Sequence, residues 1–230
     1  MDAFEDFTET APCFPFYFRQ ILSGPHENFH YVVGCTDTRE ACIIDPSFHL
    51  EEIFERATRD GFRITKALFT HGHWDHIGGI PAIFDLGVKE VYAHEAAGTH
   101  PKIQEAGAKA TLLADEETFH VGTIPFRLLH TPGHQPEGSC FVTDTKPAAL
   151  FGGDTLFIGT CGRTDFPGGD TEAMHASMQR MRQWPDDWVV FPGHHYHEKA
   201  SRNLGEEKQG NPALTTTDLA EFSKLHCLTH

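Results

Sequence analysis

The chain is poor in cations. It carries 18 Lys and Arg against 33 Asp and Glu, a formal net charge of −15 with His neutral. No Lys/Arg cluster interrupts that balance, which argues against a nucleic-acid binder, whose surface normally shows a basic face. There is no apolar run near the ~20 residues that a membrane helix needs, so no membrane partner is expected. The opening residues, Met1-Asp2-Ala3-Phe4-Glu5-Asp6, lack the basic and apolar segments of a secretory signal. No two of the six cysteines, at 13, 35, 42, 140, 161 and 227, have C-x-x-C spacing. Reduced thiols in a cytoplasmic protein are expected, several of them simply small buried hydrophobes.

What remains is ordinary in bulk: 230 residues, 39% hydrophobic and 22% charged. That fits one compact domain and excludes disorder, collagen and coiled coil. The unusual count is 17 histidines, several in short dense runs beside Asp, Gly and Pro. Histidine is the commonest metal ligand and the acid/base of neutral pH, so the composition points to a metal or proton-transfer site.

Residues 30–34 and 41–44 read as paired strands around a polar turn, and 49–60 as an amphipathic helix with Leu50, Ile53, Phe54 and Ala57 inward. Residues 67–70 read as a buried strand, 79–86 as a helix with Pro81 near its start, and 90–93 as a strand. Strands follow at 118–121, 125–130, 139–143 and 148–151, then a helix at 171–183, a strand at 188–191 and a helix at 214–226. Alternating segments of this kind pack most simply as sheet on sheet with helices outside.

The strongest local signal is Thr70-His71-Gly72-His73-Trp74-Asp75-His76, followed by Ile77-Gly78-Gly79. Its spacing is not the i, i+4 pair of a helical zinc site. It suits a loop leaving a strand, where alternate side chains turn to two ions. Three further candidates each follow a glycine at the end of an expected strand: His134, Asp154 and His194. That recurrence suits close approach of backbone to a bound group. Alone, each would be read as structural. With the 71–76 cluster they complete a set of five His and two Asp, too many for one tetrahedral zinc. No thiolate lies among them, and the nitrogen and oxygen donors suit Zn, Fe or Mn.

On these residues the sequence resembles the metallo-β-lactamase superfamily, in particular its glyoxalase II-like branch (hydroxyacylglutathione hydrolase-like), in a short single-domain form. The element T-H-x-H-x-D-H and the later His, Asp and His carry the resemblance over residues 70–195. It implies an α/β fold, a four-layer αβ/βα sandwich, with the metal site at one edge of the two sheets. The chain then reads as one domain over 1–230, with 1–15 as an N-terminal extension and 196–230 as a tail carrying a helix. The C-terminal helical domain of glyoxalase II enzymes is expected to be absent or reduced. By resemblance, His71, His73 and His134 hold a first metal, Asp75, His76 and His194 a second, and Asp154 bridges them. Two divalent ions follow, zinc before iron or manganese.

The activity implied is metal-dependent hydrolysis of a thioester by a hydroxide that bridges the metals. Asp75 could take the proton of that water. The element Cys161-Gly162-Arg163-Thr164-Asp165-Phe166 is similar to shorter single-domain hydrolases and to persulfide dioxygenases. Arg163 is expected either to fork onto a substrate carboxylate or to pair internally with Asp165 or Asp170. The alternative activity is that of a mononuclear iron persulfide dioxygenase acting on glutathione persulfide. His71, His134 and Asp154 would then form a 2-His-1-carboxylate triad. Pro192-Gly193-His194 and Trp74 favour the hydrolases. The expected partner is a small thioester or thiol-derived molecule, with a homodimer as the assembly to test. His94 and His100 are read as structural or surface residues, His195 as an alternative to His194, and Tyr196 and His197 as either pocket or surface residues.

Overall fold

A computed structural model of the chain describes residues 3–225. The first half forms strands β1 (Ala3–Asp6), β2 (Tyr17–Gly24), β3 (Asn28–Gly34) and β4 (Glu40–Ile44), helix α1 (Leu50–Arg59) and strand β5 (Arg63–Leu68). Two single-turn helices, α2 (Trp74–Ile77) and α3 (Ala82–Asp85), lead to β6 (Glu90–His94), α4 (Pro101–Ala106) and β7 (Ala110–Leu113). The second half runs through β8 (Thr118–Val121), β9 (Ile124–His130), β10 (Ser139–Thr143) and β11 (Ala149–Gly153), then a small hairpin of β12 (Leu156–Phe157) and β13 (Thr160–Cys161). It ends with α5 (Thr171–Met181), β14 (Val189–Pro192), β15 (Arg202–Asn203), α6 (Leu204–Gly210), α7 (Pro212–Thr215) and α8 (Leu219–Phe222).

The strands make two large sheets. The first has seven strands in chain order, β1 to β7, antiparallel up to β4 and parallel from there. The second has the order β15-β14-β11-β10-β9-β8, with β11 and β14 parallel. Period-2 alternation sends each strand's side chains into two different cores. Phe29, Tyr31 and Val33 of β3 face Phe141, Phe151 and Phe191 of the second sheet. Val32 and Ile43 instead meet Ile53, Phe54 and Ala57 of α1. On the far side Leu150 and Val190 meet Met174, Met178 and Met181 of α5 and Phe222 of α8. Helix, sheet, sheet and helix are thus the four layers of an αβ/βα sandwich.

The boundaries differ from the sequence reading where a polar partner intervenes. Residues 3–6, expected in an extension, pair with β2 as the edge of the first sheet. β2 itself has no apolar run because Arg19 and Gln20 interrupt it. Gln20 is nonetheless buried and donates to the Ala200 carbonyl at 2.8 Å. The strand expected at 67–70 ends at Leu68, because the Thr70 N–H donates to Asp45 Oδ1 at 2.8 Å instead of a neighbouring strand. The helix expected at 79–86 shortens to α3. Gly79 lies so near the 46–47 loop that a Cβ there would sit 2.3 Å from the Pro46 carbonyl oxygen. The helix expected at 214–226 is two helices within the described residues, with Asp218 capping the second through the Glu221 N–H at 2.9 Å. Residue 226 lies outside the described residues.

Phe151 is fully buried between the sheets, against Tyr31 and Phe191. Phe151→Ala should cost about 3–5 kcal/mol of stability, read from the shift of the urea unfolding midpoint.

Candidate metal centre

All seven ligand candidates meet at one edge of the sandwich. His71, His73, Asp75 and His76 follow β5, His134 follows β9, Asp154 follows β11 and His194 follows β14. The loop after β5 is not wholly irregular: α2 turns Asp75 and His76 away from His71 and His73, so one short segment serves two places. His71 Nε2 and His134 Nε2 lie 3.0 and 2.9 Å from His73 Nδ1, and 4.0 and 3.6 Å from Asp154 Oδ2. His76 Nε2 and His194 Nε2 are 3.1 Å apart, and lie 3.7 and 3.6 Å from Asp75 Oδ2. The same two nitrogens each stand 3.3 Å from an Asp154 oxygen. One carboxylate therefore faces both groups.

The residues fit a pair of divalent cations. Within each group the donor atoms lie within 4.8 Å of one another. Asp154 Oδ1 is buried with no hydrogen-bond partner, a costly arrangement that a cation would relieve. Burial alone would raise the pKa of Asp154, but the imidazoles of His194 and His76 hold it well below the usual carboxylate range. Burial, with the imidazoles around it, drives His71 well below its usual value, and burial with His134 takes His73 down to about 4. An ionised carboxylate beside neutral imidazoles is the protonation state that metal ligation requires. His76 differs: burial opposes a charge there, but Asp154, Asp45 and Asp75 outweigh it and push its pKa up to about 9.

Each imidazole is oriented through its other nitrogen. His76 Nδ1 lies 3.0 Å from Asp45 Oδ2, His134 Nδ1 donates to the Arg163 carbonyl at 2.7 Å, and His194 Nδ1 to the His26 carbonyl at 2.7 Å. His73 Nε2 is 3.0 Å from the Gln135 side-chain amide, and His71 Nδ1 is 3.1 Å from Thr70 Oγ1. Thr70 Oγ1 in turn donates to Asp45 Oδ2 at 2.7 Å, so Asp45 governs His71 and His76 together. Asn28 Nδ2 donates to Asp75 Oδ2 at 3.1 Å. Sequence reasoning singled out neither Asp45 nor Asn28. The signal for Asp45 was its place after the apolar run Ala-Cys-Ile-Ile, where a buried strand ends on an acid. It sits at φ +50, a conformation that Asp tolerates.

The glycines before the ligands make room for protein rather than for a bound group. A Cβ at Gly153 would lie 2.5 Å from Thr70 Oγ1, and one at Gly193 2.4 Å from Asp154 Oδ1. His195 turns the other way from His194 and packs between Phe7 and Phe29. His94 and His100 each accept a backbone N–H at a helix start, from Ala96 and Lys102. Arg163 reaches the cavity wall but pairs bidentately with Asp165, at 2.5 and 2.7 Å. Asp170 caps α5 instead, through the Ala173 N–H.

The centre opens into a cavity of about 1040 Å³. One wall is the β12–β13 hairpin, with Phe157, Thr160 and Cys161, backed by Pro212, Ala213 and Leu225. Two fully buried residues of the C-terminal segment hold that wall. Glu207 accepts the Gly159 N–H at 2.8 Å and an Asn211 amide N–H at 2.9 Å. Asn211 Nδ2 donates to the Thr160 and Phe157 carbonyls at 2.9 and 3.3 Å. The same hairpin leads from Asp154 to the Arg163 carbonyl that orients His134.

The Metallo-beta-lactamase superfamily profile matches residues 24–194, and the chain belongs to that superfamily. A hydroxyacylglutathione hydrolase of Polaromonas sp. is 37% identical over 179 residues, 77% of this chain. The chain spans 65% of that relative's length. The mitochondrial persulfide dioxygenase of Homo sapiens is 32% identical over 222 residues, which cover 92% of this chain and 80% of the relative. Among solved structures, a metallo-beta-lactamase from Staphylococcus aureus superposes with a TM-score of 0.80 at 28% identity, covering 92% of this chain and 66% of that one.

Asp45→Asn keeps the backbone and the shape but removes the charge between His71 and His76. It should weaken zinc binding by about tenfold or more, measured by competition with a chromophoric chelator, with the circular dichroism spectrum unchanged. Glu207→Ala should lower the thermal midpoint and loosen the hairpin, seen as faster hydrogen exchange at the Gly159 amide.

Proposed function

We propose that this chain is a metal-dependent hydrolase of thioesters that holds two divalent cations, zinc before iron or manganese. The observation that carries this reading is the second donor group. Asp75, His76 and His194 are as closely gathered as the first group and share Asp154 with it. A mononuclear centre on His71, His134 and Asp154 would leave them without a metal to hold. His71, His73 and His134 would hold one cation, Asp75, His76 and His194 the other, and Asp154 both. When bound, such a pair lowers the pKa of a shared water and polarises a carbonyl oxygen.

The chain's own residues supply the rest. Asp45, Thr70 and the carbonyls of Arg163 and His26 fix the imidazoles, so little reorganisation is needed when charge develops. Asp75, whose Oδ2 accepts from Asn28, would take the proton of that shared water at the cost of weaker ligation. Phe157 and Tyr196 line the cavity on the His194 side. A thiolate leaves without much protonation, so a thioester makes no demand for a separate general acid. Arg163, at the cavity wall, would meet the substrate only by exchanging Asp165 for it. The hydroxyacylglutathione hydrolase relative supports the same reaction class. The free thiols of Cys13, Cys35, Cys42 and Cys140, three of them buried, support a reducing cytoplasmic setting.

A second reading has its own support: the persulfide dioxygenase relative aligns over more of this chain, 92% against 77%. Elemental analysis of protein purified without added metal separates the two. About two ions per chain, with hydrolysis of glutathione or coenzyme A thioesters, is the expected result. One iron per chain and oxygen uptake with glutathione persulfide would overturn it. His194→Ala should lose one ion, retain the other, and lower kcat/KM for a thioester by about a hundredfold or more.

A further inference from the structure

The exposed large hydrophobic side chains are not scattered over this molecule. Of the five among the described residues, Trp74, Phe166 and Tyr196 line the cavity beside the metal centre. Trp74 is 60% exposed, held edge-on by Phe48 and His26 at ring distances of 5.8 and 5.4 Å. Phe166 stands over the opposite side, its ring 5.5 Å from that of His73. Tyr196 lies flat on His194 at 4.9 Å and meets Phe157 edge-on at 5.3 Å. Leaving large apolar surface in water is unfavourable, and its concentration at a concave site marks a place where a ligand covers it.

Charge points the same way. Among the described cavity-lining residues the permanent cation is Arg163. Its guanidinium is taken up by both oxygens of Asp165 and lies 4.2 Å from the Phe166 ring centroid. A carrier thiol bearing several carboxylates would have to displace Asp165 to reach the one guanidinium of this cavity. An apolar group would replace water against Trp74, Phe157, Phe166 and Tyr196 without such a cost.

We infer that the substrate carries a bulky apolar group, alkyl or aryl, next to its reacting centre, and that the aromatic wall of Trp74, Phe157, Phe166 and Tyr196 binds it. This rests on the thioester-hydrolase reading and narrows it. The group sits on the acyl side or the thiol side of the thioester, and the shared chemistry is a hydrocarbon surface of several carbons.

Binding and turnover are read separately on the zinc-loaded protein. Calorimetry with inert S-alkyl thioethers of N-acetylcysteamine, from methyl to octyl, should show Kd falling by at least about tenfold along the series. S-Methylglutathione should bind no better than the methyl thioether. Acyl thioesters of N-acetylcysteamine, acetyl to octanoyl, and acetyl thioesters of ethanethiol and hexanethiol, tell the two sides apart. At least a tenfold rise in kcat/KM in one arm is expected. Trp74→Ala and Phe166→Ala, both at exposed positions, should remove most of the Kd gain with chain length while leaving zinc content at the wild-type value. Kd independent of chain length, or glutathione conjugates binding more tightly than every alkyl thioether, would overturn the inference. Chain-length-dependent binding with no hydrolysis of any thioester would overturn the hydrolase reading and leave the apolar site standing.

Discussion

The structure turns on one buried carboxylate. Asp154 sits among five imidazoles, ionised, with one oxygen that no protein group satisfies. A charge so placed is tolerated only where opposite charge is brought to it. Its neighbours come from the ends of strands in both sheets, so they meet only when the sheets pack face to face. The aromatic core between the sheets, from Phe29 and Tyr31 across to Phe151 and Phe191, sets that spacing. The Tyr31 hydroxyl, buried there, donates to the Pro192 carbonyl at 2.5 Å and ties the core directly to the turn that presents His194.

A second acid extends this constraint outward. Asp45 accepts from the Thr70 backbone and hydroxyl, and faces His76. By capturing the Thr70 N–H it stops β5 and releases the chain into the ligand loop, and by facing His76 it aims a ligand. Ending the strand and orienting the site are thus one interaction. The carbonyls that orient His134 and His194 likewise belong to Arg163 and His26, residues that also line the cavity. Position of the imidazoles and shape of the cavity are therefore coupled through the backbone.

Much of this was legible in the sequence, for a physical reason. Strands buried on two faces show long apolar runs and ligands cluster next to them, so β3, β4, β9 to β11 and β14 could be read along with all seven ligand candidates. The unread parts are those held by polar contacts across long chain separations. β2 carries Arg19 and Gln20, whose partners are Asp60 and Ala200. α2 is a single turn, too short to show a helical period, and the Gly79 N–H ahead of α3 goes to the Pro46 carbonyl, more than thirty residues earlier. Asp45 and Glu207 look like any other acids in a chain with 33 of them, and only burial sets them apart.

The ligand set and the cavity wall answer to different parts of the chain. The ligands stand on strand ends whose geometry follows from the sheets. The wall is a two-residue-stranded hairpin with no large core of its own, β12 and β13, and so needs an external brace. Glu207 and Asn211, both fully buried, supply it with hydrogen bonds, and Arg202 meets the Glu207 carboxylate at 3.1 Å. Because that brace comes from the segment after the last ligand, changes there can reshape what the cavity admits without touching a metal ligand. The fold and the ligand candidates thus rest on the two sheets, and this part of the cavity wall on the C-terminal segment.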